Sequence, residues 1–114
     1  MEQVLVKAEE RFQRRNSLEQ ITEAVCAVYE IPLSVLSEPG RRRNVSEARA
    51  VAALFVLASG NLILADLAEV LRRELSGLSQ ASGRLRKRLP EDGRLAGQLE
   101  KVRMRLNEMP ICQA

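Results

Sequence analysis

Leu64-Ala65-Asp66-Leu67-Ala68-Glu69-Val70-Leu71, then Arg72-Arg73-Glu74, then Leu75-Ser76-Gly77-Leu78-Ser79-Gln80-Ala81-Ser82-Gly83-Arg84-Leu85, is the stretch that decides how this chain folds. Leu64, Leu67, Ala68 and Leu71 recur at helical spacing, so residues 63–71 read as a short amphipathic helix reaching to about residue 72. Arg73-Glu74 breaks it. A second helix follows over 75–89, with an apolar stripe of Leu75, Leu78, Ala81 or Ser82, Leu85 and Leu89. That stripe leaves Ser76, Gln80, Gly83, Arg84 and Lys87 on the opposite face. Two such helices joined by a turn of about three residues have the layout of a helix-turn-helix. A helical hairpin in any bundle has similar spacing, so a purely structural reading stays open at this point.

Toward the N-terminus, Ser59-Gly60-Asn61 stops a run from Ala48 to Ala58 that is apolar except for Arg49, and Ser46 is placed to cap it. A helix apolar almost all round belongs in the middle of a bundle. Before it lie a basic loop, Arg41-Arg42-Arg43-Asn44, and the stop signal Pro39-Gly40. Pro32 heads a short turn of helix through Leu36. Ser17-Leu18-Glu19-Gln20 is a capping-box pattern opening a helix over 17–29, with Leu18, Ile21, Val25, Val28 and Tyr29 on its apolar face. Val4, Leu5, Ala8 and Phe12 suggest a lead-in helix within residues 1–16. Toward the C-terminus, Pro90 and Asp92 precede a last helix whose stripe is Leu95, Leu99, Val102 and Leu106, and residues 110–114 form a tail. No period-2 segment and no repeat is visible. The expected fold is all-α, a compact bundle of about six helices with its functional domain over 17–109.

Composition agrees. At 114 residues and 46% apolar, the chain suits one domain with a real core. Aromatics are only 3% and Trp is absent, so Leu, Val, Ala and Ile must build that core. The net charge of +3 suits a polyanionic partner, as it also suits many basic proteins with no such role. His is absent, and Cys26 and Cys112 have no metal-ligand spacing, which excludes His-based catalysis and a zinc site. No cofactor, metal or enzymatic activity is expected. Neither a secretory leader nor a membrane span is legible, which makes the cytoplasm, and a bacterial nucleoid within it, the expected location.

The chemistry of the candidate site follows from side-chain type. Gln80 can bond adenine bidentately, Ser76 and Ser79 can donate or accept, and Arg84 can read guanine or grip a phosphate. Lys87 shares that face. Three consecutive guanidiniums, Arg41, Arg42 and Arg43, repel one another beside a turn and call for an anion, or else for plain solvent. Arg49 on its apolar helix must reach solvent, a phosphate or an acid such as Glu47 or Asp66. The leading expectation is sequence-preferring binding of double-stranded DNA. The alternative is a helical protein-interaction or regulatory module whose basic loop meets an acidic partner.

The segment Val28-Tyr29-Glu30-Ile31-Pro32-Leu33, the basic loop, and Ser46-Glu47-Ala48-Arg49-Ala50-Val51-Ala52-Ala53 together resemble the C-terminal DNA-binding domain of the bacterial replication initiator DnaA, a Trp-repressor-like helix-turn-helix fold. That family carries a YGI segment, a basic loop and a helix of the form AR-x-I-A or AR-x-V-A. Residues 64–71 resemble the first helix of its helix-turn-helix, and Arg73-Glu74-Leu75-Ser76-Gly77-Leu78-Ser79 stands where the family has RDHSTV. The similarity runs from about residue 17 to 90. It is closer still to the DnaA-like domain of REP-associated tyrosine transposases, which also lacks a glycine before this element and continues in the style of Arg84-Leu85-Arg86-Lys87-Arg88-Leu89. The resemblance implies that the basic loop enters or borders the minor groove. It further implies that Arg49 and the helix start at Leu64 and Ala65 hold phosphates, and that Arg73, Ser76, Gly77 and their neighbours approach the bases. The family's readers are replaced by Glu74-Leu75-Ser76-Gly77, where only Ser is kept in kind, and Leu75 is placed in the core rather than against a thymine methyl. Neither the ATP-binding loop of the initiator nor the paired-His motif of the transposase is present, so the resemblance extends to the binding portion alone. A homodimer or a transposase catalytic domain, fused or separate, is the expected source of further affinity.

Overall fold

Ser17 opens the first helix by closing both halves of a capping box. Its hydroxyl accepts from the Gln20 N–H at 3.1 Å, and Gln20 Oε1 accepts from the Ser17 N–H at 3.0 Å. The structure, a computed structural model, describes residues 16–39 and 42–109. Helix α1 is Leu18–Tyr29 and ends at Glu30, whose φ of 56° is left-handed. Helix α2 is the single turn Leu33–Leu36 behind Pro32. Helix α3, Arg43–Ser59, is stopped by Gly60 at φ 78°, a conformation that favours glycine. Helices α4, Leu64–Leu71, and α5, Leu75–Arg88, follow. A 3-10 turn, Leu89–Glu91, leads to α6, Gly93–Glu108, where Asp92 accepts from the Leu95 N–H at 3.0 Å.

Among the described residues α3 is the central helix, touching α1, α2, α4 and α5, while α6 lies against α1. Ala48, Ala52, Ala53, Val51 and Val56 of α3 are fully buried, and the small alanines let neighbouring helices approach closely. Each fully buried Leu or Val around them, such as Leu67, Leu71 and Leu95, contributes roughly 1.5–3 kcal/mol. The expected all-α bundle is therefore the observed one. The stripe Leu95, Leu99, Val102 and Leu106 is buried along its whole length.

Two local expectations need correction, and one left open is settled. Helix α3 starts at Arg43 rather than behind Ser46: Arg42 is extended (ψ 137°), its carbonyl accepts from the Ser46 N–H at 2.8 Å, and buried Val45 anchors the added turn. Leu75 is 48% exposed rather than core, because a side chain at the first position of α5 leans past the end of the helix, beyond the partners that cover Leu78. Of the two candidates for the middle of that stripe, Ser82 is the buried one, and its hydroxyl is satisfied by the Ser79 carbonyl at 2.9 Å. The lead-in segment, Gly40, Arg41 and the tail lie outside the described residues.

Candidate functional site

Helix α4 ends in a Schellman turn. Arg72 is left-handed (φ 55°), and the Arg73 N–H reaches the Ala68 carbonyl at 2.9 Å. Residues 72–74 then separate α4 from α5, the three-residue turn read from the sequence. Leu78, Ser82 and Leu85 bury the inner face of α5, so Ser76, Gly77, Ser79, Gln80, Arg84 and Lys87 all stand exposed on the outside. Neither Gly77 nor Gly83 has an atom within 4 Å of where a Cβ would sit, and neither has a positive φ. Glycine inside a helix costs about 0.5–1 kcal/mol relative to alanine, so the fold by itself gives no reason for either. Their effect is a smooth, low surface on α5.

The basic residues divide into two groups. Arg42 and Arg43 are exposed at the start of α3, and Arg43 shares a cleft with Arg84 of α5; among the described residues none of these three side chains has an ion pair or hydrogen bond. Arg49 behaves differently. It is only 6% exposed and donates from Nε to the Leu36 carbonyl at 2.8 Å and from Nη2 to the Glu38 carbonyl at 2.6 Å. Backbone acceptors therefore take the place that solvent, an acid or a phosphate was expected to fill. Arg73 donates to the same Glu38 carbonyl at 2.6 Å, so α3 and the α4–α5 turn both grip the strand of chain that leads into the basic loop. Leu64 is buried, whereas Ala65 is exposed. The starts of α3, α4 and α5 carry no side-chain cap, unlike those of α1 and α6. Their first N–H groups keep the partial positive charge of a helix N-terminus.

The chain matches no model of a known protein family and no curated protein. Its function must therefore be argued from its own residues.

One buried cluster escaped the sequence reading. Glu47, 6% exposed, accepts from the Tyr29 hydroxyl at 2.6 Å and from Arg94 Nη2 at 2.6 Å, with Arg88 Nη2 at 3.6 Å. Burial pushes its carboxyl up, but the hydrogen bonds from Arg94 and Tyr29 and the fields of Arg94 and Arg88 outweigh this and hold it below the usual carboxylate range. Burial, then the bond to Glu47, push the Tyr29 phenol well above its ordinary value, so it serves as a donor. The four residues come from α1, α3, α5 and α6, a convergence no local spacing encodes. Glu47, two residues from Arg49, was the visible signal, and it was matched to the wrong arginine. Above the cluster lies a cleft of about 1240 Å³ bounded by the end of α1, the first half of α3, the second half of α5 and the start of α6. Among the described residues there is no group of three or more His, Cys, Asp or Glu able to hold a metal, and no helix is long and apolar enough to cross a membrane.

Proposed function

We propose that this chain binds double-stranded DNA with sequence preference, laying the first two turns of α5 in the major groove while Arg42 and Arg43 contact phosphates beside it. The observation that carries this reading is the outer face of α5. After a three-residue turn it presents Ser76, Ser79 and Gln80 on a surface kept low by Gly77, with Arg84 one turn further. Small hydrogen-bonding side chains near the start of the second helix are what base edges require, and arginines beside them supply salt-sensitive affinity. Exposed Leu75 becomes available for a thymine methyl. The uncapped starts of α3, α4 and α5 fit backbone phosphates in the same picture. Such a module is the DNA-binding part of a replication-initiator-like or transposase-related protein acting at the bacterial nucleoid, without chemistry of its own.

Selection from a random duplex pool, followed by anisotropy at two salt concentrations, tests it. Arg42→Ala is expected to weaken binding to every duplex and to reduce the slope of log affinity against log salt by about 0.9, one phosphate's worth. Gln80→Ala is expected to change the ranking of duplexes while leaving non-specific affinity in place. A pool from which no motif emerges, or a Gln80→Ala variant that weakens all duplexes equally, overturns the reading helix.

A further inference from the structure

The cleft over Glu47 is not explained by duplex binding. A phosphate on a rigid duplex can reach its rim, but the floor is apolar and lies between four helices: Ala50 and Leu85 are buried there, with Val28 and Ala81 half-buried beside them. Four arginines surround that floor. Arg43 and Arg84 are without ionic partners among the described residues, and Arg88 and Arg94 keep more than half of each side chain exposed while Glu47 anchors their tips. The acids nearby are largely committed: Glu47 lies under Arg94, and Asp92 is held by the Leu95 N–H and by Arg88 at 3.0 Å. Only Glu30 at the edge stands without such a partner among the described residues. The four arginines of the lining outnumber its three carboxylates, Glu30, Glu47 and Asp92, by one, and the positive charge not tied into ion pairs sits on Arg43 and Arg84.

A nucleotide would ask for an open aromatic face to stack on, and the one aromatic ring in the cleft, Tyr29, is buried and bonded to Glu47. An inorganic anion would leave most of a 1240 Å³ trench unfilled. We propose that the groove between α1, α3 and α5 is a docking site for an acidic amphipathic helix of a partner protein. Its apolar face settles on half-buried Val28 and Ala81, and its carboxylates meet Arg43 and Arg84 first, with the half-exposed Arg88 and Arg94 beside them. This is groove recognition of a helix reinforced by charge complementarity, in which Arg88 and Arg94, already held by Glu47, lose little freedom on binding. The site shares Arg43 and Arg84 with the duplex-binding face, but Val28 and Gln98 lie in the cleft on α1 and α6, apart from the reading face of α5, so variants there separate the two.

The test uses the full chain and a fluorescein-labelled amphipathic helical peptide of Leu, Ala and Glu, compared with its Lys-for-Glu counterpart. Saturable, salt-sensitive binding of the Glu peptide and none of the Lys peptide is expected. Val28→Glu and the milder Gln98→Glu should each lower that affinity at least about tenfold through like-charge contact, with duplex affinity unchanged within about twofold. Met104→Glu adds the same charge at an exposed position outside the cleft and should have no effect. Thermal melts identify any variant that fails to fold, and Gln98→Glu keeps the test open if Val28→Glu does. Equal binding of both peptides, absence of saturable binding, or equal weakening by Met104→Glu overturns the docking site. Peptide binding that survives when no duplex is bound would leave this site standing while the DNA reading falls.

Discussion

Arg49 is a full charge on a helix whose neighbouring positions are apolar, and it is buried because its donors meet the carbonyls of Leu36 and Glu38. Burial, then the nearby charge of Arg73, draw its pKa down from the usual arginine value, although the value is so high that the group stays charged. Those two carbonyls belong to the end of α2 and the residues after it, where the helix has finished and its last acceptors need donors. Arg49→Met keeps the aliphatic stem, strands the Leu36 carbonyl and leaves the Glu38 carbonyl to Arg73. It is expected to lower stability by about 2–4 kcal/mol in urea denaturation, since a bond from a charged donor is worth about 1.5–3 kcal/mol. The folded variant should keep the salt slope of DNA binding. Unchanged stability with a shallower slope would instead return Arg49 to the phosphate role first expected of it.

Helix α5 presents the same tension between stability and surface on a larger scale, because Gly77 and Gly83 weaken a helix whose face they flatten. Gly77→Ala is expected to raise stability by about 0.5–1 kcal/mol, having neither a clash nor a positive φ to overcome. The added methyl should also weaken duplex binding several-fold if bases approach that backbone. Stabilisation without any loss of binding, read by paired urea and anisotropy titrations, would remove Gly77 from the interface. Elements such as this were legible in the sequence wherever their cause is local. The capping box at Ser17, the stripe Leu95 to Leu106 and the break at 72–74 all follow from contacts within a turn or two. The start of α3 was not legible, because what extends it is the burial of Val45 against other helices, and no capping side chain marks it. Leu75 was misplaced for a related reason: periodicity assigns a face, but it does not tell where the opposing surface ends. At the site, exposed Ser76, Ser79 and Gln80 could be read from the helical face, whereas the partners of Arg49 and Glu47 depend on which helices meet.

Glu47 is the point where the whole molecule is tied together, joining α3 to Tyr29 of α1, to Arg88 of α5 and to Arg94 of α6. Its arginine partners are more than half exposed, so solvent screens the ion pairs, and the buried phenol–carboxylate bond is the less screened part. A carboxyl held low in the folded state contributes stability that is present above its unfolded value, near 4.3, and lost as pH falls through the folded one. Asp92 follows the same sign, held low first by the Leu95 N–H and then by Arg88. Acid also leaves 18 Lys and Arg side chains with fewer carboxylates to balance them, so some loss of stability at low pH is general and not specific to this cluster. The Glu47→Gln variant separates the two contributions. Gln keeps the shape but cannot carry the charge that Arg94 and Arg88 answer, so the variant should be less stable than the parent at neutral pH. The gap should stay constant well above the unfolded carboxylate value and then close as pH falls below it and through the lower value of the folded parent. Urea denaturation of both chains at stepped pH measures the gap directly. Curves that run parallel throughout would mean that Glu47 holds these four helices by shape and hydrogen bonding, with its charge contributing nothing.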